Sequence, residues 1–105
     1  MKILVYSAEE SARENIKEIL GDHYDMVLTE SVEQCQECIN NTDIKTLIYD
    51  ADKQDKPLED IKTFRSKNPK LKIIALIGYG GEKAAQKAVD AGADEYSFCQ
   101  CSVAL

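Results

Sequence analysis

The sequence has no tryptophan, a single histidine and no apolar run long enough to cross a membrane. It is also poor in positive charge, with 13 lysine and arginine residues against 19 aspartate and glutamate residues and a net charge of −6. A field of this sign repels phosphate backbones and anionic lipid, which argues against nucleic acid or a membrane as a direct partner. The first apolar stretch, residues 3–6, turns polar too soon for a signal peptide. We therefore expect a cytoplasmic protein whose four cysteines are reduced.

The scarcity of histidine limits the catalytic options. A Ser–His or Cys–His pair would have to use His23, which the pattern places in a connection after the first helix. The glycine-rich turn at residues 78–81 lacks the lysine and the spacing of a phosphate-binding loop. We therefore predict that the protein is not an enzyme.

What the sequence does contain is a regular alternation of short apolar runs with amphipathic segments. The apolar runs predict strands at residues 3–6, 24–29, 44–49, 71–77 and 96–99. The run at 71–77 is the most continuous, as expected of a strand covered on both faces. The amphipathic segments predict a first helix that opens at residues 7–11 and stops at Gly21, and further helices at 32–40, from Pro57 to about 67, and at 82–91.

Five strands separated by four helices specify an α/β fold with a doubly wound, five-stranded parallel sheet. At 105 residues the chain holds one domain, residues 1–105. Asp50 ends the third strand, so its carboxylate is expected at the carboxyl edge of the sheet, where open α/β folds place their chemistry. An aspartate there is otherwise a solvated loop residue or a helix cap, and Asp52 and Asp55 are compatible with a plain acidic loop.

Three segments resemble the receiver domain of two-component response regulators. Residues 2–5 look like its first strand, residues 47–50 like the strand that presents its phosphorylated aspartate, and residues 91–96 like the approach to its fifth strand. The turn at 78–80 is similar to that in receivers of enhancer-binding transcription regulators. The resemblance covers essentially the whole chain and implies a flavodoxin-like fold with strand order 2-1-3-4-5.

The resemblance makes Asp50 the candidate phosphoacceptor, but the residues that support it in receivers are replaced. Ser7 and Ala8 stand where receivers hold magnesium with two acidic residues, and a hydroxyl and a methyl group are poor substitutes for those ligands. Ile77 occupies the position of a phosphate-binding hydroxyl, and Cys99 that of a lysine. Because phosphoryl transfer depends on positioning and charge neutralisation, we expect poor phosphorylation and weak or lost Mg²⁺ binding. No other cofactor is predicted.

These replacements predict a degenerate receiver, or pseudo-receiver, that acts in signal transduction through protein–protein contacts. Its partner would be an output domain or another regulator. The predicted contact surface consists of the fourth helix, the fifth strand and Tyr96, which corresponds to the aromatic that reports the family's signalling state. A tyrosine on an edge strand otherwise contributes simple packing.

Two alternatives stay open. The first is a working receiver that accepts phosphate on Asp50. The second is a redox or zinc module built from the Cys-X-X-Cys segment at residues 35–38 and from Cys99 and Cys101. The predicted topology places these two pairs apart, and a helical cysteine that faces the core is usually a small buried hydrophobe.

The resemblance also implies a fifth helix, which is missing here because the chain stops at Leu105, about where that helix would begin. Either the chain is a fragment of a longer regulator or it covers the bare sheet face by pairing. Monomers rarely leave a large apolar patch exposed, so the second option predicts a homodimer.

Overall fold

The computed structural model describes residues 2–20, 24–41, 43–51, 56–77 and 82–98. The predictions for His23, the turn at 78–81 and the two carboxyl-terminal cysteines, Cys99 and Cys101, concern residues outside these ranges. So does the expectation about a fifth helix.

The described chain alternates parallel strands with helices. The strands are β1 (Lys2–Tyr6), β2 (Asp25–Thr29), β3 (Thr46–Asp50), β4 (Lys72–Ile77) and β5 (Glu95–Phe98). The helices are α1 (Glu10–Leu20), α2 (Val32–Asn41), α3 (Pro57–Lys67) and α4 (Glu82–Ala91). All paired strands are parallel, and their order is β2-β1-β3-β4-β5. The predicted doubly wound, flavodoxin-like fold is confirmed.

Local signals set the starts of two helices as predicted. The Ser31 hydroxyl accepts a hydrogen bond from the Gln34 N–H at 3.1 Å and so caps α2. Pro57 is the first residue of α3, where its fixed φ favours the helix and its missing N–H costs nothing. None of the described helices is long and apolar enough to cross a membrane.

The third strand differs from its prediction at both ends. Pairing with β1 starts at Thr46, opposite Ile3, so Ile44 lies before the strand although its side chain is buried. At the other end the strand continues through Asp50, which pairs with Leu76 of β4. The carboxylate of Asp50 is therefore held on a strand and not on a loop.

The sheet separates two apolar clusters. The larger lies under α2, α3 and α4 and includes, from those helices, Cys35, Ile61, Phe64, Ala85 and Ala88. The smaller lies under α1 and combines buried Ile3, Val5, Ile16 and Ile48 with partly buried Met26, Leu28, Ile74 and Leu76. Burial therefore alternates along β4. Its side chains that face the larger cluster are buried, and those on the α1 side are half-buried. The prediction that β4 is covered on both faces holds for one face only among the described residues.

A polar link joins the end of α3 to the start of β5. The Arg65 guanidinium donates to the backbone oxygens of Leu71 at 2.7 Å and Gly92 at 3.0 Å, and to the Asp94 carboxylate at 2.6 Å. Asp94 also accepts from the Ile73 N–H at 2.9 Å, while its own N–H donates to the Ile73 carbonyl. Gly92 has a φ of +131°, and a Cβ there would lie 2.9 Å from Arg65 Cβ, so the close approach requires glycine.

Candidate phosphoacceptor site

Asp50 lies at the carboxyl edge of the sheet, as predicted, but it is 2% exposed. Its strand is central, with β1 on one side and β4 on the other. A carboxylate withdrawn from water in this way needs hydrogen-bond donors or positive charge nearby. The burial sets Asp50 apart from a solvated loop aspartate.

Ser7 supplies one such donor. It follows β1 directly, is fully buried, and its Oγ donates to Asp50 Oδ2 at 2.7 Å. The same Oγ accepts the N–H of Glu9 at 3.2 Å, immediately before α1 begins. One hydroxyl thus donates to one oxygen of the buried carboxylate and accepts the Glu9 N–H just before α1, whose first helical hydrogen bond is accepted by the Glu9 carbonyl.

Arg13 brings a cation to the same edge. Its Nη1 donates to the Ser7 carbonyl oxygen at 2.6 Å, and its Nη2 lies 3.7 Å from a carboxylate oxygen of Glu30, which follows β2. The side chain is 15% exposed. Arg13 was not among the predicted site residues, because an arginine on the polar side of an amphipathic helix resembles any solvated cation.

The remaining predicted site residues lie in different surroundings. Ala8 is exposed, next to Ser7. Ile77 is buried in the larger apolar cluster and pairs with Phe98, so its side chain belongs to the core. Tyr96 is 49% exposed on the edge strand β5, opposite Ala75. Cys99 lies outside the described residues.

An aromatic layer lies beneath the site on the side of the larger cluster. The rings of Tyr6 and Tyr49 stack with centroids 5.1 Å apart and planes 8° apart, and Phe64 meets Tyr49 edge-on at 6.1 Å. The Tyr49 hydroxyl donates to Asp60 Oδ2 of α3 at 2.5 Å. Burial, then this hydrogen bond and the Asp60 charge, raise the pKa of Tyr49. Burial followed by the same charge raises the pKa of Tyr6, so both phenols stay neutral beside Asp50.

Cys35, the first cysteine of the Cys-X-X-Cys segment, belongs to the core. It is fully buried, and its Sγ lies 2.8 Å from Thr29 Oγ1. The same Thr29 hydroxyl donates to the Val5 carbonyl at 2.8 Å. Burial raises the pKa of Cys35 to about 12, against the lowering effect of the Thr29 hydrogen bond. A protonated, buried thiol of this kind is a poor nucleophile and a poor metal ligand.

The oxygen atoms available at this edge of the sheet determine whether Mg²⁺ could bind there. Mg²⁺ prefers several oxygen ligands in octahedral geometry, with carboxylates among them. The described edge offers the Asp50 carboxylate, already bonded to a hydroxyl, and the Glu30 carboxylate, which lies 3.7 Å from Arg13, together with a serine and an alanine. Across the described ranges, no group of three or more His, Cys, Asp or Glu side chains is arranged to hold a metal ion.

Fold and site geometry together define the class of the molecule: it has a flavodoxin-like fold, with a buried aspartate at the carboxyl edge of the sheet. No protein-family model and no curated protein sequence matches this chain. Solved structures do match, and they include receiver domains of response regulators.

Three solved structures illustrate this similarity. A receiver domain protein from Clostridium thermocellum has a TM-score of 0.78 and 27% sequence identity, with 92% of this chain and 80% of that chain covered. The receiver domain of NtrX from Brucella abortus has a TM-score of 0.83 and 21% identity, with 91% and 83% covered. Against the longer NtrX structure the TM-score is 0.84 at 21% identity and 92% coverage, and this chain spans only 22% of that length. The resemblance to receiver domains is confirmed at the level of the fold.

Proposed function

We propose that this chain is a pseudo-receiver: a signalling domain, without enzymatic activity, that does not use Asp50 as a working phosphoacceptor and acts through protein–protein contacts. The observation that carries the proposal is the bond from Ser7 Oγ to Asp50 Oδ2, between two buried residues. Ser7 stands where receivers carry an acidic metal ligand, and its neutral hydroxyl donates a hydrogen bond to one oxygen of the Asp50 carboxylate.

The surroundings of Asp50 support the same conclusion. Attack on a phosphodonor needs an exposed carboxylate oxygen and cations that neutralise the incoming charge. Here Asp50 is 2% exposed, and a buried isoleucine, Ile77, stands where receivers carry a hydroxyl. The nearby guanidinium of Arg13 contacts the Ser7 carbonyl and Glu30.

A small phosphodonor tests the proposal directly. The chain is incubated with acetyl phosphate and Mg²⁺ and its intact mass is followed over time. We expect the mass to stay unchanged, because the buried, hydrogen-bonded carboxylate cannot align with the donor. A stable gain of one phosphoryl group that disappears in Asp50→Asn would show a working receiver instead.

A Mg²⁺ titration tests whether the chain binds magnesium near Asp50, independently of whether a phosphodonor can reach the carboxylate. We expect no Mg²⁺-dependent heat or chemical-shift change near Asp50 in the natural chain, and saturable binding in the double variant Ser7→Asp/Ala8→Asp, which restores the acidic pair. The single variant Ala8→Asp is the control, since Ala8 is exposed and its replacement leaves the Ser7–Asp50 bond in place. Tight Mg²⁺ binding by the natural chain would contradict the proposal.

The contact surface remains the predicted one, made of α4, β5 and Tyr96. The described part of this surface is mostly polar, with exposed Glu82, Lys83, Gln86, Lys87 and Asp90 along α4. Tyr96 adds an exposed aromatic ring at its border. The likeness to receivers of enhancer-binding regulators rests on the turn at 78–80, outside the described residues.

A further inference from the structure

The edge strand β2 combines three features that together fit a partner strand. It comes first in the strand order, so among the described strands only β1 pairs with it. Its three central residues, Met26, Val27 and Leu28, are consecutive apolar residues and all half-buried. Natural edge strands are usually protected by lysine, proline or a bulge, and within β2 there is only Asp25 at the start.

The hydrogen-bonding direction of each β2 residue follows from one contact. The Ser7 N–H donates to the Thr29 carbonyl at 3.2 Å, so the backbone groups of Thr29 point toward β1. Backbone direction alternates along a strand, so Val27 and Asp25 also point toward β1, while Met26 and Leu28 direct their N–H and C=O groups away from the sheet.

We propose that β2 pairs with β2 of a second copy of this chain, antiparallel and centred on Val27, to form a continuous ten-stranded sheet. In this register Met26 lies opposite Leu28 of the second copy, and each such pair exchanges two backbone hydrogen bonds, because both residues point outward. Val27 faces Val27 of the second copy across the two-fold axis. The contact is isologous, so it closes at two copies.

The side chains also suit this register. Met26 and Leu28 belong to the half-covered cluster on the α1 side, and the same residues of the second copy would extend that apolar surface. Asp25 would face Thr29 of the second copy, so β2 brings no like charges together. On the other side of the sheet, a groove lined by Val27, Gln34, Glu37, Cys38 and Asn41 runs beside the edge.

This proposal is independent of the state of Asp50. It also differs from the dimer predicted from sequence, which was to cover a bare sheet face. Here the contact is made by the edge strand, and the half-buried residues Met26 and Leu28 are its apolar part.

Cysteine substitution tests the register. In a Cys38→Ser background, which removes the thiol lining the same groove, Val27→Cys is compared with Met26→Cys under mild oxidation. In the proposed register the two copies of residue 27 have Cα atoms about 4.5 Å apart, within disulfide range. The two copies of residue 26 are diagonal neighbours, roughly 7–8 Å apart, and are out of range. We expect a 27–27 disulfide by peptide mass mapping and no 26–26 disulfide.

Sedimentation velocity tests the surface. We expect the natural chain to dimerise as its concentration rises from low to high micromolar. Met26→Lys should shift it to monomer, because the lysine side chain would lie opposite the apolar Leu28 of the second copy, on the α1 side of the sheet. Ser66→Lys is the matched control, since it adds the same charge at an exposed position of α3 and should leave the dimer intact. Circular dichroism melts confirm that each variant is folded.

Two results would overturn the proposal. The first is a natural chain that stays monomeric throughout this concentration range. The second is a dimer that resists Met26→Lys or fails to form the 27–27 disulfide, because such a dimer uses another surface or another register.

Discussion

The hydroxyl of Ser7 makes two hydrogen bonds at the carboxyl edge of the sheet. Removing it with Ser7→Ala leaves a buried carboxylate short of a donor and the Glu9 N–H without its acceptor. We expect a loss of about 1–3 kcal/mol in the free energy of unfolding, measured by urea denaturation. If the cost arises at Asp50, Ser7→Ala should cost much less in an Asp50→Ala background. If Ser7→Ala lowers the free energy of unfolding equally in both backgrounds, the loss comes from the hydrogen bond to the Glu9 N–H and not from Asp50.

The Cys35 thiol gives a second prediction at the residue scale, based on pH. Its pKa in the folded chain is about 12, raised from 9.0 by burial, so the folded state holds the proton to higher pH than the unfolded state does. The resulting stabilisation is complete below the unfolded pKa and is lost as pH rises through the folded pKa. The stability difference between the natural chain and Cys35→Ala should therefore narrow as the pH rises from 9.0 toward about 12. A constant difference would contradict the raised pKa.

At the scale of elements, Asp94 links β4 to β5. Its pKa is lowered, whereas that of Cys35 is raised, so its contribution to stability depends on pH in the opposite direction. Burial alone would raise the pKa of Asp94, but the Ile73 N–H and the Arg65 guanidinium together hold it below its usual value of 3.8. Its contribution is therefore present above that value and disappears as pH falls through the lower, folded pKa. We expect Asp94→Asn to be less stable than the natural chain at neutral pH, and the gap to close in strong acid.

Lys56→Gln is the control for the Asp94 experiment. It removes a more exposed ion pair, with Glu59 at 3.9 Å, at the start of α3. Exposed pairs contribute roughly 0–1 kcal/mol, so its effect should be small across the pH range. An equally large acid-dependent effect in Lys56→Gln would show that general charge, and not the Asp94 link, controls the acid dependence.

Elements were the part of the structure that sequence could predict. The bounds of α4 agree with the prediction, and those of α2 and α3 agree closely, because apolar periodicity reports burial on one face and Ser31 and Pro57 mark helix starts. The α3 face was also recognised, since Ile61 and Phe64 are fully buried. Strand ends were less accurate, because a partner strand decides where pairing begins.

Only part of the candidate site could be predicted from the sequence, because some of its features depend on contacts between residues far apart in the chain. The prediction that Ser7 and Ala8 stand where receivers carry an acidic pair needed only the residue types at two positions. The Ser7–Asp50 bond, the Arg13 contact and the Arg65–Asp94 link join residues 43, 6 and 29 positions apart. Such contacts depend on tertiary distances that no local pattern encodes. Arg65 and Arg13 therefore resembled ordinary surface cations.

At the scale of the whole molecule, the two sides of the sheet are unequally closed, and this asymmetry is measurable. Leu47 is fully buried under α2, α3 and α4, whereas Leu76, on the adjacent strand, is half-buried on the α1 side. Leu47→Ala should cost about 2–5 kcal/mol in the free energy of unfolding, because it removes apolar contacts and leaves a cavity. Leu76→Ala should cost clearly less, since water already reaches part of that side chain. The comparison requires dilute protein, where self-association is minimal. Equal losses would mean that the α1 side is as fully closed in solution as the opposite side, and the half-covered cluster would then no longer distinguish the two faces.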